Sequence, residues 1–224
     1  MERQSVPQTT IQRLPAYLRC LLQAQEQRMP VVNSVELAEM CGTNAAQVRK
    51  DLSYLGELGT RGIGYDVKAL IAHISSVLGI TERRRAAVIG YGRFGGALLG
   101  YSGFAERGFE IVAVVDADPA KVGTLVQTPS GEIAVSAIDD LERVMQEAGV
   151  EIAILATPAS VTQGMADRLV AAGVRAILNL APVRLVVPEG IAVRQVCLST
   201  DLQVLSFHLA QNAQHGPQGA DEQE

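Results

Sequence analysis

The stretch AAVIGYGRFGGALLGY, from Ala86 to Tyr101, decides how the chain is read. An apolar run that predicts a strand over 86–90 meets Gly90, Gly92 and Gly95 in G-x-G-x-x-G spacing, and a helix over 93–100 follows. Each glycine has a task. Gly90 permits the tight turn, Gly92 lets backbone approach a pyrophosphate, and Gly95 lets the helix sit close on the strand with its first amides aimed at phosphates. Tyr91, Arg93 and Phe94 fill the rest of the loop. Asp116 ends the second strand, 21 residues beyond Gly95, where an acid accepts hydrogen bonds from ribose hydroxyls. Ala117 and Asp118 follow, with no Arg to welcome a 2′-phosphate, so NADH/NAD is expected over the phosphorylated forms. Thr157 and Pro158 end a later strand on the carboxyl edge, where ligands sit in open α/β sheets.

Outward from this fingerprint, the second half alternates apolar strands (86–90, 111–116, 151–156, 176–180, 192–197) with amphipathic helices (93–100, 138–148, 160–172). That pattern predicts a parallel, Rossmann-type sheet covered on both faces. The fingerprint begins only after more than eighty residues, and these have their own organisation. A helix is expected over 14–27, with Pro15 in its first turn. Asn33 and Glu36 form a capping pair for a short helix that Gly42 ends, and Asn44 with Gln47 caps the next. Two short helices about three residues apart have helix-turn-helix spacing.

In the third helix, Val48, Leu52 and Leu55 face inward. Lys50 and Ser53 point the opposite way, flanked by Gln47, Arg49 and Tyr54, the side chains that meet phosphates and base edges in a major groove. The segment GELGTRGIGYDV then suits a tight hairpin with Arg61 near its tip and Tyr65 on its returning strand, the wing of a winged helix. Asp66 caps one further helix through Leu78, and ITERRR (80–85) is a linker.

Composition narrows the functional classes. The chain has 224 residues, 48% hydrophobic, with a net charge of −5. Residues 1–80 carry eight Lys/Arg against seven Asp/Glu and the remainder 11 against 17, so the acidity belongs to the second half. No apolar run reaches the roughly 18 residues of a membrane span, and the N-terminus lacks a signal-peptide pattern. Cys20, Cys41 and Cys197 offer neither a disulfide framework nor a zinc set, which fits a reducing cytoplasm and predicts no metal. Catalysis lacks its groups: His73 lies in the first domain, His208 in the last helix and His215 in the tail, and no Tyr is followed by Lys four residues later. No segment remains for a substrate domain. An NAD-dependent oxidoreductase with a helical appendage is the alternative, and a CoA- or nucleotide-binding sensor without DNA activity a third. The last helix, STDLQVLSFHLAQN, carries Leu202, Leu205, Phe207 and Leu209; it either covers its own sheet or docks on a second subunit.

With both halves read, the chain resembles the Rex family of bacterial redox-sensing transcriptional repressors from Ile11 to Asn212. The resemblance rests on QVRKDLSYLGELGTRGIGYDV (47–67), VIGYGRFGGAL (88–98), VDADPAKVG (115–123), AAGVRAILNLAPV (171–183) and DLQVLSF (201–207). It implies a winged helix domain (1–80), a Rossmann NAD(H)-binding domain (86–198), a swapped dimerisation helix (199–212) and a disordered tail (213–224). It further implies a cytoplasmic, non-enzymatic homodimer that binds palindromic operator DNA and is released by NADH. A redox switch joining an Arg of the first helix, a Tyr after the glycine loop and an Asp on the last strand is also implied. Arg19 and Tyr101 match the first two; the third falls on Cys197, followed by Leu198, and a cysteine cannot accept the same charge-assisted bonds. Asp201, one helical turn on, is the nearest acid, while a buried strand cysteine is ordinarily inert packing.

Overall fold

A computed structural model describes residues 6–56, 58–60 and 62–214, without the side chains of 212–214. The chain divides into two units between Arg83 and Arg84.

The first unit comprises α1 (Gln8–Glu26), β1 (Val31–Val32), α2 (Ser34–Cys41), α3 (Ala45–Ser53), β2 (Gly59–Thr60), β3 (Gly64–Asp66) and α4 (Val67–Leu78). Its core joins Leu14, Tyr17 and Leu21 of α1 to Leu37, Val48, Leu52, Leu70 and Ile74. The caps form as the sequence predicts. Asn33 accepts from the Val35 and Glu36 amides while Glu36 reaches back to the Asn33 amide, and Gly42 ends α2 in the left-handed region at φ 66°. Asn44 accepts from the Gln47 amide and Asp66 from the Ala69 amide. The three strands make one small antiparallel sheet in the order β1-β3-β2, with Tyr65 of β3 opposite both Val32 and Gly59. Helix-turn-helix and wing are therefore both formed.

Two details differ from expectation. Helix α1 starts at Gln8, six residues before the predicted start, so Pro15 lies inside it. Proline removes an amide from the helix ladder, and the early turn is held instead by Thr10, Arg13 and Tyr17, which bond to α3. Gln47 does not complete a cap with its side chain; its amide turns onto Asp51.

The second unit comprises β4 (Arg84–Ile89), α5 (Arg93–Leu99), β5 (Phe109–Asp116), β6 (Leu125–Thr128), β7 (Gly131–Ala137), α6 (Leu141–Glu147), β8 (Ile152–Leu155), α7 (Ala159–Ala171), β9 (Ala176–Asn179), β10 (Ala192–Gln195) and α8 (Leu198–Gln214). Its sheet runs β10-β9-β8-β4-β5-β7-β6, parallel except for β6. The central strand shows why the sheet is covered on both sides. Ala87 and Ile89 face one apolar layer with Leu141 and Leu169, Ala86 and Val88 face the other with Leu99, and all four strand residues are buried. Arg84 and Arg85, expected in the linker, begin β4. The hairpin β6–β7 was absent from the predicted strands: its turn at Thr128–Gly131 joins an antiparallel edge strand to a parallel one.

Candidate nucleotide and nucleic-acid sites

Strand order reverses at β4, with β5 on one side and β8 on the other, and the carboxyl ends of these strands frame a cleft of about 920 Å³. Gly90 leaves β4 at φ 100°, a left-handed conformation, where a Cβ would run into the Ala156 carbonyl. A Cβ on Gly95 would collide with the Gly90 carbonyl oxygen, so helix and loop touch backbone to backbone. Gly92 faces open space, and Gly90, Gly92, Arg93 and Phe94 line the cleft with Thr157 and Pro158. Tyr91 does otherwise. Its ring packs on the apolar layer behind the loop, and its amide donates to Asp116 Oδ2 at 2.6 Å.

Asp116 is 8% exposed and both its oxygens are engaged, Oδ1 accepting from the Asp118 amide at 2.8 Å. It therefore clasps the glycine loop to the end of β5 on the wall of the cleft. Lys121 was missed by the sequence reading. Its ammonium lies 3.3 and 3.4 Å from the two Asp116 oxygens and 3.9 Å from Asp118. A search for arginine alone passes over it, yet a cation does stand beside Asp116 on the wall of the cleft. Arg168 also reaches the cleft, but Glu142 holds it bidentately at 2.6 and 2.7 Å and the Ile138 carbonyl takes a further bond, so it braces α7 on α6. The bond to Arg168 is the chief reason the Glu142 carboxyl falls to about 2. The Thr157 hydroxyl is turned by the fully buried Thr162, 3.0 Å away.

In the first unit, Asn33, Ser34, Arg49, Ser53, Thr60 and Tyr65 line a groove of about 800 Å³ between α2, α3 and the wing. Arg49 and Lys50 are exposed as expected, Arg49 donating to Ser34 Oγ at 2.8 Å. The Ser53 hydroxyl donates to the Lys50 carbonyl and its oxygen faces outward. Tyr54, at the C-cap, is half-buried. Tyr65 lies across Gly59; burial pushes its phenol up, with the nearby Arg49 cation opposing, so the hydroxyl remains a donor at neutral pH. Arg61 lies outside the described residues.

Of the redox-switch candidates, Arg19 is exposed on α1, and Tyr101 packs edge-on against Phe104 with ring centroids 5.1 Å apart. Cys197 is not a buried strand residue. Strand β10 stops at Gln195, and Cys197 stands half-exposed just before α8 with Sγ 3.1 Å from Ser199 Oγ. Hydrogen bonds from Ser199 and Thr200 bring its thiol down to about 7. Leu198 opens α8 and is 62% exposed. Every described side chain from Leu198 to Gln211 is exposed, so α8 does not cover its own sheet. His73 bonds the Leu55 carbonyl and His208 meets the Phe207 ring; His215 and the tail from 215 lie outside the described residues. Among the described residues no acidic, His or Cys group is placed to hold a metal, and no helix is long and apolar enough to cross a membrane.

Residues 5–53 match the family model described as putative DNA-binding protein N-terminus, and 81–183 the CoA binding domain. The redox-sensing transcriptional repressor Rex of Streptomyces griseus is 49% identical over 217 residues, covering 97% of this chain and 84% of that protein. Its counterpart in Carboxydothermus hydrogenoformans is 46% identical over 204 residues, 91% of this chain and 96% of that one. The crystal structure of RSP in complex with beta-NAD+ and operator DNA superposes with a TM-score of 0.87 at 31% identity, covering 94% of this chain and 95% of that chain. RSP in complex with beta-NADH gives a TM-score of 0.83 at 30% identity, covering 94% and 97%.

Proposed function

Because the chain belongs to the Rex family of redox-sensing transcriptional repressors, we propose that it couples operator binding in its first unit to NADH binding in its second. One observation carries this: a winged helix-turn-helix and a glycine-loop nucleotide cleft stand on the same chain. It is a repressor rather than an enzyme, and NADH and NAD are its sensed ligands.

In the first unit, Arg49 meets phosphates, Lys50, Ser53 and Tyr54 approach base edges, and Arg61 and Tyr65 belong to the wing. Gln47, tied to Asp51, contributes mainly by holding its helix. In the second unit, Gly90, Tyr91, Gly92, Arg93, Phe94 and Gly95 form the pyrophosphate loop. Asp116 reads the ribose, and Thr157 with Pro158 walls the nicotinamide end.

The protein works as a homodimer on a palindrome, since one reading helix per chain needs two-fold symmetry to span two half-sites. Helix α8 is the dimer element: Leu202, Leu205, Phe207 and Leu209 stand 57–70% exposed on it. Its place is the cytoplasm, where operators are. NADH releases DNA by binding more tightly to the dimer shape that DNA disfavours. Arg19 and Tyr101 belong to that switch, and Cys197 with Leu198 occupies the position of its carboxylate.

The test is anisotropy of the full chain on a duplex selected from random sequences, titrated with NADH, NAD, NADPH and CoA at fixed salt. Release by NADH at concentrations where NADPH and CoA have no effect supports the reading. Release by CoA would assign the cleft to the ligand its family description names, and indifference to all four would refute the coupling.

A further inference from the structure

Asp51 sits on the inward face of α3, one position before Leu52 and three after Val48, and is fully buried. An apolar residue would complete that stripe. Instead, five hydrogen bonds converge on the carboxylate. Oδ1 accepts from Thr10 Oγ1 (2.9 Å), Arg13 Nη2 (2.7 Å) and Gln47 Nε2 (3.0 Å), and Oδ2 from Arg13 Nε (2.6 Å) and the Tyr17 hydroxyl (2.8 Å). Three of these donor residues (10, 13 and 17) occupy one stripe of α1, on both sides of Pro15. No buried side-chain polar atom among the described residues lacks a partner.

Apolar contact is non-directional and lets one helix turn or slide on another. A bidentate arginine with a second donor on each oxygen fixes both rotation and height. Buried ionic sets are weak sources of stability, and fixing register is their best-attested use. The opposite face of the same helix carries Arg49, Lys50 and Ser53. Rotating α3 would carry these three along the groove.

We propose that Asp51 is the positioning residue of the DNA-facing helix: through Thr10, Arg13 and Tyr17 it sets the rotation of α3, and so the register in which Lys50 and Ser53 reach base edges. This rests on α3 being the reading helix. Phosphate contacts tolerate a small rotation, whereas base contacts do not. Loss of Asp51 therefore costs specificity before it costs affinity for DNA in general.

The test uses the full chain and two duplexes, one selected on the unmodified protein and one scrambled. If the unmodified protein selects no duplex, the reading of α3 fails rather than this inference. Two variants follow: Asp51→Asn, which keeps the hydroxyl partners, and the apolar set T10V/R13M/Y17F/D51L, which removes the α1 donors together with their acceptor and leaves only half-buried Gln47 to turn to solvent. The expected result is a folded protein whose affinity for the scrambled duplex and salt slope stay within twofold, while the selected-to-scrambled ratio falls at least tenfold. A folded apolar variant that keeps the ratio overturns the proposal. So does parallel loss of both affinities, or failure of both variants to fold, since each assigns Asp51 to stability alone.

Discussion

Replacing Asp116 by Asn tests the nucleotide cleft at its most connected point. The carboxylate accepts the Tyr91 amide at 2.6 Å and the Asp118 amide at 2.8 Å, one on each oxygen. An asparagine keeps one of these bonds and turns an NH2 group toward the other amide. A hydrogen bond to a charged group contributes about 1.5–3 kcal/mol, so the clasp on the glycine loop weakens by that order. Lys121 is one-third exposed and adds about 0–1 kcal/mol as a pair. At 1.4 kcal/mol per decade, the Kd for NADH should rise roughly 10- to 150-fold.

NADPH should suffer less, because the same change removes a negative charge from beside its 2′-phosphate. Two unit charges about 4 Å apart repel by ~1 kcal/mol in water and ~4 kcal/mol near a protein surface. The NADPH-to-NADH ratio should therefore narrow at least fivefold, while affinity for the selected duplex without nucleotide stays unchanged. Isothermal titration of both nucleotides, with anisotropy as the control, reads all three quantities. An NADH affinity within twofold of the parent, or equal weakening of both nucleotides, would refute Asp116 as the ribose reader.

Gly95→Ala places a Cβ against the Gly90 carbonyl; overpacking of this kind costs about 1–3 kcal/mol, and calorimetry should find NADH binding weakened about 5- to 150-fold with duplex binding intact. Burial pushes the Asp51 carboxyl up, but bonds from Arg13, Tyr17, Thr10 and Gln47 override it and hold the group at about 2 against an ordinary 3.8. A lowered folded pKa stabilises above the unfolded value and is lost as pH falls through the folded one. Thermal melts should therefore decline between pH 4 and pH 2, and less steeply for Asp51→Asn. Without nucleotide, iodoacetamide should modify Cys197 with an apparent pKa near 7, well before Cys41, whose thiol burial pushes up to about 12. Equal rates would place Cys197 in a different environment. In α8, Leu202 and Leu209 are 66% and 70% exposed; burying a leucine contributes about 1.5–3 kcal/mol, so L202D/L209D should turn a dimer into a folded monomer by sedimentation. A persistent dimer would assign the interface elsewhere.

The features legible in sequence were those governed by local rules. The caps at Asn33, Asn44 and Asp66 and the left-handed Gly42 depend on side chains within three or four positions, and all form. The glycine loop was equally legible, because Gly90 and Gly95 are required by backbone contacts that any strand–turn–helix of this spacing makes. What escaped was long-range or half-exposed. Asp51 reads as an ordinary surface acid on a basic helix; only the fold brings Arg13, 38 residues away, onto it. The same convergence carried α1 past Pro15, overriding the rule that proline marks a first turn. The β6–β7 hairpin lies at the sheet edge, where Gln127 and Glu132 pair on its exposed face and break the apolar run that betrays a central strand. Lys121 lies five residues beyond Asp116 and is set beside it by a turn bonded from Lys121 N–H to the Asp118 carbonyl.

On the proposed function, operator binding and NADH binding share one coupling free energy. Its most direct measurement is the Kd for NADH of the full chain, with and without saturating selected duplex at one salt concentration. Linkage requires DNA to weaken NADH by the same factor by which NADH weakens DNA, typically about 5- to 150-fold. Equal factors within error are the predicted result. An NADH affinity indifferent to DNA would refute the coupling, whatever each site binds alone.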